Sequence, residues 1–136
     1  MVTEALRAVV AQRANGCCEY CLIDERDTGF PHQVDHIVSR KHGGPSTLEN
    51  LALACMLCNR YKGSDLASLD SQTGELSRLF HPRQDRWVDH FRLQGAIIEP
   101  VSIVGSVTIF LLRLNAAERA AERQLLQELG AYPRDK

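Results

Sequence analysis

Residues 34–63 read VDHIVSRKHGGPSTLENLALACMLCNRYKG, and near its end this stretch holds a cysteine pair, Cys55-Met-Leu-Cys58, followed directly by Asn59. A second pair, Cys18-Glu-Tyr-Cys21, lies upstream in the knuckle CCEYC of residues 17–21. Each C-x-x-C lets a tight turn aim two thiolates at one point, and two such pairs complete a tetrahedral site with Zn–S bonds of about 2.3 Å. Four thiolates leave no open position for a substrate, so a zinc held by Cys18, Cys21, Cys55 and Cys58 is expected to be structural. Two disulfides, a redox C-x-x-C and buried thiols are the competing readings. The amino terminus, MVTEALRAVV, carries an early acid and reads as a helix, not as a secretory signal. A cytoplasmic setting is therefore expected, which disfavours disulfides, and a redox motif has no need of two copies. Cys17 is left over. It either replaces Cys18 through C-x-x-x-C spacing or stays a thiol outside the site.

Outward from the cysteines, the chain divides into short elements. Upstream, Thr3 caps a helix in which Leu6, Val9, Val10 and Arg13 keep helical spacing, and Asn15-Gly16 stops it. Residues 24–31 are charged and read as a loop, and 33–38 as a short strand. Gly43-Gly44-Pro45 is a turn, and Ser46-x-x-Glu49 has the spacing of a capping box. The second cysteine pair leads into a helix that Gly63 ends. Beyond Gly63, residues 66–69 and 75–80 flank Asp70-Ser-Gln-Thr-Gly74 as a hairpin does, and 90–93 and 96–101 suggest two more strands around Gly95. Residues 107–114 are apolar and β-branched, and strand and helix remain open for them. Asn115-x-x-Glu118 is expected to cap a terminal helix whose Ala117, Ala121, Leu125 and Leu129 share one face, for core packing or a dimer. The sum is one α+β domain over residues 1–136, with a zinc-braced part at 1–65 and a β-rich extension at 66–136 ending in a helix.

Composition sets limits. The chain has 136 residues, 44% hydrophobic and 24% charged, which excludes disordered and low-complexity classes. The longest strongly apolar run, Ile103 to Leu112, is far shorter than the ~20 residues of a membrane-spanning helix. Sixteen basic and 17 acidic side chains give a net charge of −1, so nucleic-acid binding cannot be argued from overall charge and has to come from a site.

The polar residues inside the zinc loop supply a candidate site. Asp35 and His36 are neighbours on the expected strand, so they point to opposite faces unless a twist intervenes. Asn50 follows the Gly-Gly turn, and a zinc that grips Cys55 and Cys58 fixes where Asn59 points. The order C-x-x-C, D-H-I, G-G, E-N-L, C-x-x-C-N-x-x-K resembles the HNH nucleases, in their zinc-containing branch with Asn as third signature residue. The motif runs from Cys18 to Lys62. The resemblance implies a ββα-metal (His-Me finger) core. It implies His36 as general base, Asn50 as the brace of the loop between the strands, and Asp35 and Asn59 as ligands of one divalent cation. An amide oxygen is a harder ligand than imidazole, so magnesium or manganese is expected at that second site. His36, with an ordinary pKa of about 6.5, is largely neutral at pH 7 and able to take a proton from water. Arg40, Lys41, Arg60 and Lys62 are candidates for phosphate contacts.

Blander readings compete. His32 and His42 read as solvated loop histidines. Arg78, Arg83, Arg86 and Arg92, with Trp87 and Phe91 among them, make either a backbone-binding groove or, since Asp85 and Asp89 intervene, a salt-bridged face. The leading function is a metal-dependent endonuclease acting on DNA, most readily double-stranded, with RNA still open. A catalytically silent zinc-ribbon module that binds nucleic acid or protein is the alternative. A nuclease working as a homodimer or inside a larger assembly is a third. Sequence specificity has no visible signature.

Overall fold

Two short antiparallel strands between two helices decide where the polar side chains of the N-terminal half point. In the computed structural model, which describes residues 2–134, α1 (Glu4–Arg13) starts at Thr3, whose hydroxyl accepts from the Leu6 amide at 3.1 Å. It stops before Asn15 and Gly16, both at positive φ. β1 (Gln33–His36) pairs with β2 (Leu51–Ala54) in the register Gln33↔Ala54, Val34↔Leu53, Asp35↔Ala52, His36↔Leu51. Side chains alternate across a strand, so Val34, His36, Leu51 and Leu53 share one face of this hairpin. Leu51 and Leu53 close on Val10 and Ala14, with Leu6 and Val34 against them, so this face packs on α1. Gln33 and Asp35 share the other face with Ala52 and Ala54. It carries α2 (Met56–Lys62), whose Asn59 and Lys62 reach Gln33 and Asp35. The two alanines are fully buried, and their methyl groups leave room for the helix.

The loop from β1 to β2 contains two 3-10 turns, Arg40–His42 and Leu48–Asn50. A Cβ at Gly44 would lie 1.7 Å from the Val38 carbonyl oxygen and 2.8 Å from Asn50 Nδ2, so only glycine fits this fold-back. The Ser46–Glu49 capping box does not form. Thr47 is the residue before the turn, no side chain caps it, and the Ser46 hydroxyl goes instead to His36.

The extension begins with a hairpin of β3 (Ala67–Leu69) and β4 (Leu76–Arg78). Asp70 closes its turn by accepting from the Thr73 amide and hydroxyl, both at 2.9 Å, and it also accepts from Ser106 on the next helix at 2.9 Å. A second hairpin pairs β5 (Phe91–Gln94) with β6 (Ile97–Pro100). Then follow α3 (Ile103–Leu111) and α4 (Ala117–Glu128). The segment left open between strand and helix is thus helical as far as Leu111. Ser102 caps α3, and Gly105 lies so close to the His90 carbonyl that a Cβ would approach it to 2.0 Å. The β-branched residues are held there by burial of Val104, Val107 and Thr108, which overrides their strand preference. Helix occupies more of the extension than strand does.

α4 corrects two expectations. Its N-cap is Ala116, because Asn115 is bound elsewhere: its carboxamide accepts from the Ile98 amide at 2.9 Å and donates to the Ile98 carbonyl at 2.8 Å, extending the edge of β6. The buried face is Arg119, Arg123 and Leu126, whereas Leu125 and Leu129 are exposed. The apolar periodicity pointed to the wrong side, because the two arginines find partners inside. One apolar cluster joins both halves of the chain: Cys18, Tyr20, Ile23 and Ala54 from the first, Phe80, Phe91, Ile98, Leu112, Leu126 and Tyr132 from the second. Among the described residues no helix is long and apolar enough to cross a membrane.

Candidate metal centre and candidate active site

The four-cysteine centre assembles from two tight backbone turns. After α1, the chain folds so that the Leu22 amide donates to the Cys18 carbonyl at 2.9 Å and the Cys21 amide points at Cys18 Sγ at 3.5 Å. Cys55 is the N-cap of α2, and its sulfur accepts from the Cys58 amide at 3.4 Å. All four sulfurs lie within 4.8 Å of one another and all four residues are buried. The Cys21 and Cys55 sulfurs are 3.7 Å apart. Tetrahedral zinc with Zn–S bonds of about 2.3 Å requires sulfur separations of about 3.8 Å. The donor set therefore fits a closed, thiolate-bound metal such as zinc. Cys18, not Cys17, belongs to it; Cys17 lies beside Asp24, with its sulfur 3.9 Å from the carboxylate. No disulfide forms among the described residues.

A residue that the sequence reading missed completes this centre. Arg119 of α4, 5% exposed, points Nη2 at Cys58 Sγ at 3.1 Å and at Cys55 Sγ at 3.7 Å, while Nη1 donates to the Leu112 carbonyl at 2.7 Å. Burial opposes its charge, but the thiolate charges of Cys58, Cys21 and Cys55 outweigh burial and hold its pKa above the ordinary arginine value. Four thiolates around a divalent ion carry net negative charge, and Arg119 answers it from the extension. Tyr132 adds a second tie, its hydroxyl donating to the Cys21 carbonyl at 2.7 Å. No spacing rule flags Arg119; it was hidden on a helix whose apolar stripe drew the eye to the opposite face.

The second cluster lies around the end of β1. Asn50, buried, accepts from the Val38 amide at 2.9 Å and donates to the Val38 and Pro45 carbonyls, both at 2.9 Å. These three bonds clamp the loop between β1 and β2. His36 is half-buried at the last position of β1, with Nε2 2.8 Å from the Ser46 hydroxyl. Burial above all, and then the charges of Arg40 and Lys62, hold its pKa below the ordinary histidine value, against the pull of Asp35. That direction favours the neutral ring at pH 7.

Asp35 is 4% exposed on the opposite face. Its Oδ2 accepts from the Tyr20 hydroxyl at 2.8 Å and lies 3.2 Å from the Lys62 ammonium. Burial raises the Asp35 pKa above the ordinary carboxylate value, while Lys62 and Tyr20 pull it back. Lys62 is 2% exposed and also donates to the carbonyls of His36 and Ile37. Its charge lies inside the fold and not on a phosphate-facing surface. Asn59 sits on the same face of α2, one turn earlier, and donates its amide to Gln33 Oε1. Arg40, Lys41 and Arg60 are exposed. Tyr20 had a signal in its place inside the first cysteine pair, as did Lys62 in its i, i+3 relation to Asn59.

The flanking readings divide. His32 is buried, not solvated, with Nε2 2.9 Å from the Ile23 carbonyl, while His42 is exposed. The arginine-rich stretch is a salt-bridged face: Arg78 pairs with Asp85, Arg83 with Glu19, and Arg92 with Glu99. Phe91 is buried, and Trp87 packs on it and donates to the Tyr20 carbonyl at 2.8 Å, so these rings support the core.

Residues 18–65 match the family described as HNH endonuclease. No curated protein and no solved structure matches the chain.

Proposed function

We propose, from the match of residues 18–65 to the family described as HNH endonuclease, that this chain hydrolyses phosphodiester bonds in DNA, with His36 as general base. The observation that carries this reading is the half-buried His36 imidazole, with its Nε2 held by Ser46 at the edge of a loop that Asn50 clamps. In the proposed step, His36 takes a proton from the attacking water. Asn50 keeps the loop, and with it the ring, in place. The exposed side chains of Arg40, Lys41 and Arg60 meet the phosphates of the nucleic-acid backbone. Lys62 is not counted among them, because in this structure it is buried against Asp35.

Asp35 and Asn59 are the residues that would hold the divalent cation. Their oxygens are of the hard type that magnesium and manganese take. The Lys62 ammonium already stands among the Asp35 carboxylate and two backbone carbonyls, so the place accommodates positive charge. When bound, the cation would neutralise phosphate charge and assist the departing 3′ oxygen. The products would carry 5′-phosphate and 3′-hydroxyl ends.

The test is a supercoiled plasmid incubated with the zinc-loaded chain and magnesium or manganese. Wild type nicks or linearises it, and His36→Ala lowers the rate by about 10²–10⁴-fold with zinc content unchanged. Identical topoisomer patterns for the two proteins across both metals would remove the enzymatic reading. Salt-sensitive DNA retention without cleavage would favour a binding module in its place.

A further inference from the structure

The Asp35–Lys62 pair is an unusual way to store a cation ligand. Both side chains are almost wholly buried, at 4% and 3% exposure. The ammonium has three N–H donors and meets four oxygens: Asp35 Oδ1 at 3.3 Å and Oδ2 at 3.2 Å, and the carbonyls of His36 at 3.3 Å and Ile37 at 3.1 Å. That surrounding is an oxygen cage for one positive charge. Its distances are all longer than the roughly 2.7–2.9 Å of tight charge-assisted bonds. The lysine is enclosed there but not gripped.

Two further features make the charge exchangeable. Tyr20 bonds Asp35 Oδ2 at 2.8 Å independently of Lys62, so the carboxylate keeps its orientation when the ammonium leaves. Lys62 is the last residue of α2, and Gly63 beyond it is exposed and at positive φ, so the helix that carries Lys62 ends directly at the surface. We propose that Lys62 is an internal counter-cation that exchanges with the divalent cation at Asp35: the two charges occupy one carboxylate in turn, and cation binding turns Lys62 outward. This rests on Asp35 being a ligand of the divalent cation, as read above. The exchange keeps a buried carboxylate neutralised at every stage, and it makes cation affinity a property of Lys62 as much as of the ligands.

The experiment measures binding, not cleavage. Mn2+ is titrated into the zinc-loaded full chain and the free ion is followed by electron paramagnetic resonance, for wild type, Lys62→Met and Asp35→Asn. Coupling between two binding events typically amounts to about 5–150-fold, and Lys62→Met is expected to bind Mn2+ about tenfold more tightly than wild type. Asp35→Asn is expected to lose the site. In parallel, wild type is labelled with acetic anhydride with and without Mg2+, and the modified lysines are counted by mass spectrometry. Lys62 labelling rises several-fold with Mg2+, while the exposed Lys41 stays constant as the internal reference. This second arm needs no variant to fold. If Asp35→Asn loses Mn2+ binding but Lys62→Met binds no tighter and Lys62 labelling ignores Mg2+, the exchange is wrong while the cation site stands. If Asp35→Asn binds Mn2+ like wild type, the exchange falls together with the ligand role of Asp35, and the plasmid assay on His36 still judges the nuclease reading separately.

Discussion

α2 carries a buried charge cluster at each end. Its first turn holds Cys55 and Cys58 in the four-sulfur centre, and its last residue holds Lys62 against Asp35. At the first end, four anionic sulfurs converge on one point, and the charge left over after a divalent ion is met by Arg119, 61 residues downstream of Cys58. At the second end, one carboxylate meets one ammonium from the facing helix. A closed set of sulfurs has no place to admit a substrate, so it can only hold the fold. A lone carboxylate beside a loosely held ammonium has an alternative partner, so it can take part in chemistry. On the proposed exchange, two buried clusters on one short helix serve permanence and exchange, and the difference lies in ligand count and in where the compensating charge comes from.

Breaking the permanent end has the largest expected effect. Structural zinc supplies roughly 10–16 kcal/mol of apparent binding energy that is also folding energy. Cys58→Ser should lose zinc by elemental analysis and lose cooperative unfolding by circular dichroism. Retained zinc with a normal melting curve would contradict the closed four-sulfur centre.

Removing the remote charge is milder. Arg119→Met should weaken zinc affinity by about 10–100-fold, the range seen when outer-shell partners are lost. Chelator-driven zinc release, followed with a colorimetric indicator, reads it. Arg119→Lys should not restore the affinity, because an ammonium cannot reach the Leu112 carbonyl and the Cys58 sulfur with one planar fork. Zinc release at the wild-type rate from Arg119→Met would separate the extension from the metal.

The helix that delivers Arg119 sharpens the comparison further. Leu126 packs in the main cluster, so Leu126→Ala should cost about 2–4 kcal/mol in denaturant unfolding. Leu125 is 56% exposed, and Leu125→Ala should stay within about 0.5 kcal/mol. Equal losses at the two positions would mean that α4 is turned the other way.

The smallest effect is the acid response of the extension. The Asp70 carboxyl is held below the ordinary aspartate range by the Thr73 amide first, then by the hydroxyls of Ser106 and Thr73. A depressed folded value stabilises fully at neutral pH, and the contribution is lost as pH falls through that value, below the free aspartate pKa of about 3.9. Asp70→Asn should therefore be less stable than wild type at pH 7, and the difference should shrink as pH falls below the free aspartate value and through the depressed one. Fluorescence of Trp87, the one tryptophan, follows the unfolding.

Much of the four-cysteine centre was legible in the sequence, because two C-x-x-C pairs define a ligand set through local turn geometry alone. The Gly43-Gly44-Pro45 turn was legible too, and the bonds of Asn50 to Val38 and Pro45 belong to the same loop, between residues at most 12 apart. Reading failed where a polar side chain found its partner far away. Arg119 and Arg123 face inward, and Asn115 binds Ile98 in place of capping α4. Lys62, read as a surface cation, is an interior one. Ser46 looked like a cap and holds His36. A helical stripe of Ala117, Ala121, Leu125 and Leu129 predicts a core face only when no stronger partner awaits the other side.

The sequence by itself settled which atoms are offered: four sulfurs in two pairs, an Asp-His step, two asparagines at fixed distances from the cysteines, and turns rigid enough to present them. Those follow from local stereochemistry, which acts over a few residues. The tertiary structure alone decided which charges neutralise which. Burial makes an unpaired charge costly, so Asp35 took Lys62 and the sulfurs took Arg119, and no pattern of neighbouring letters encodes a partner that only the folded packing brings near.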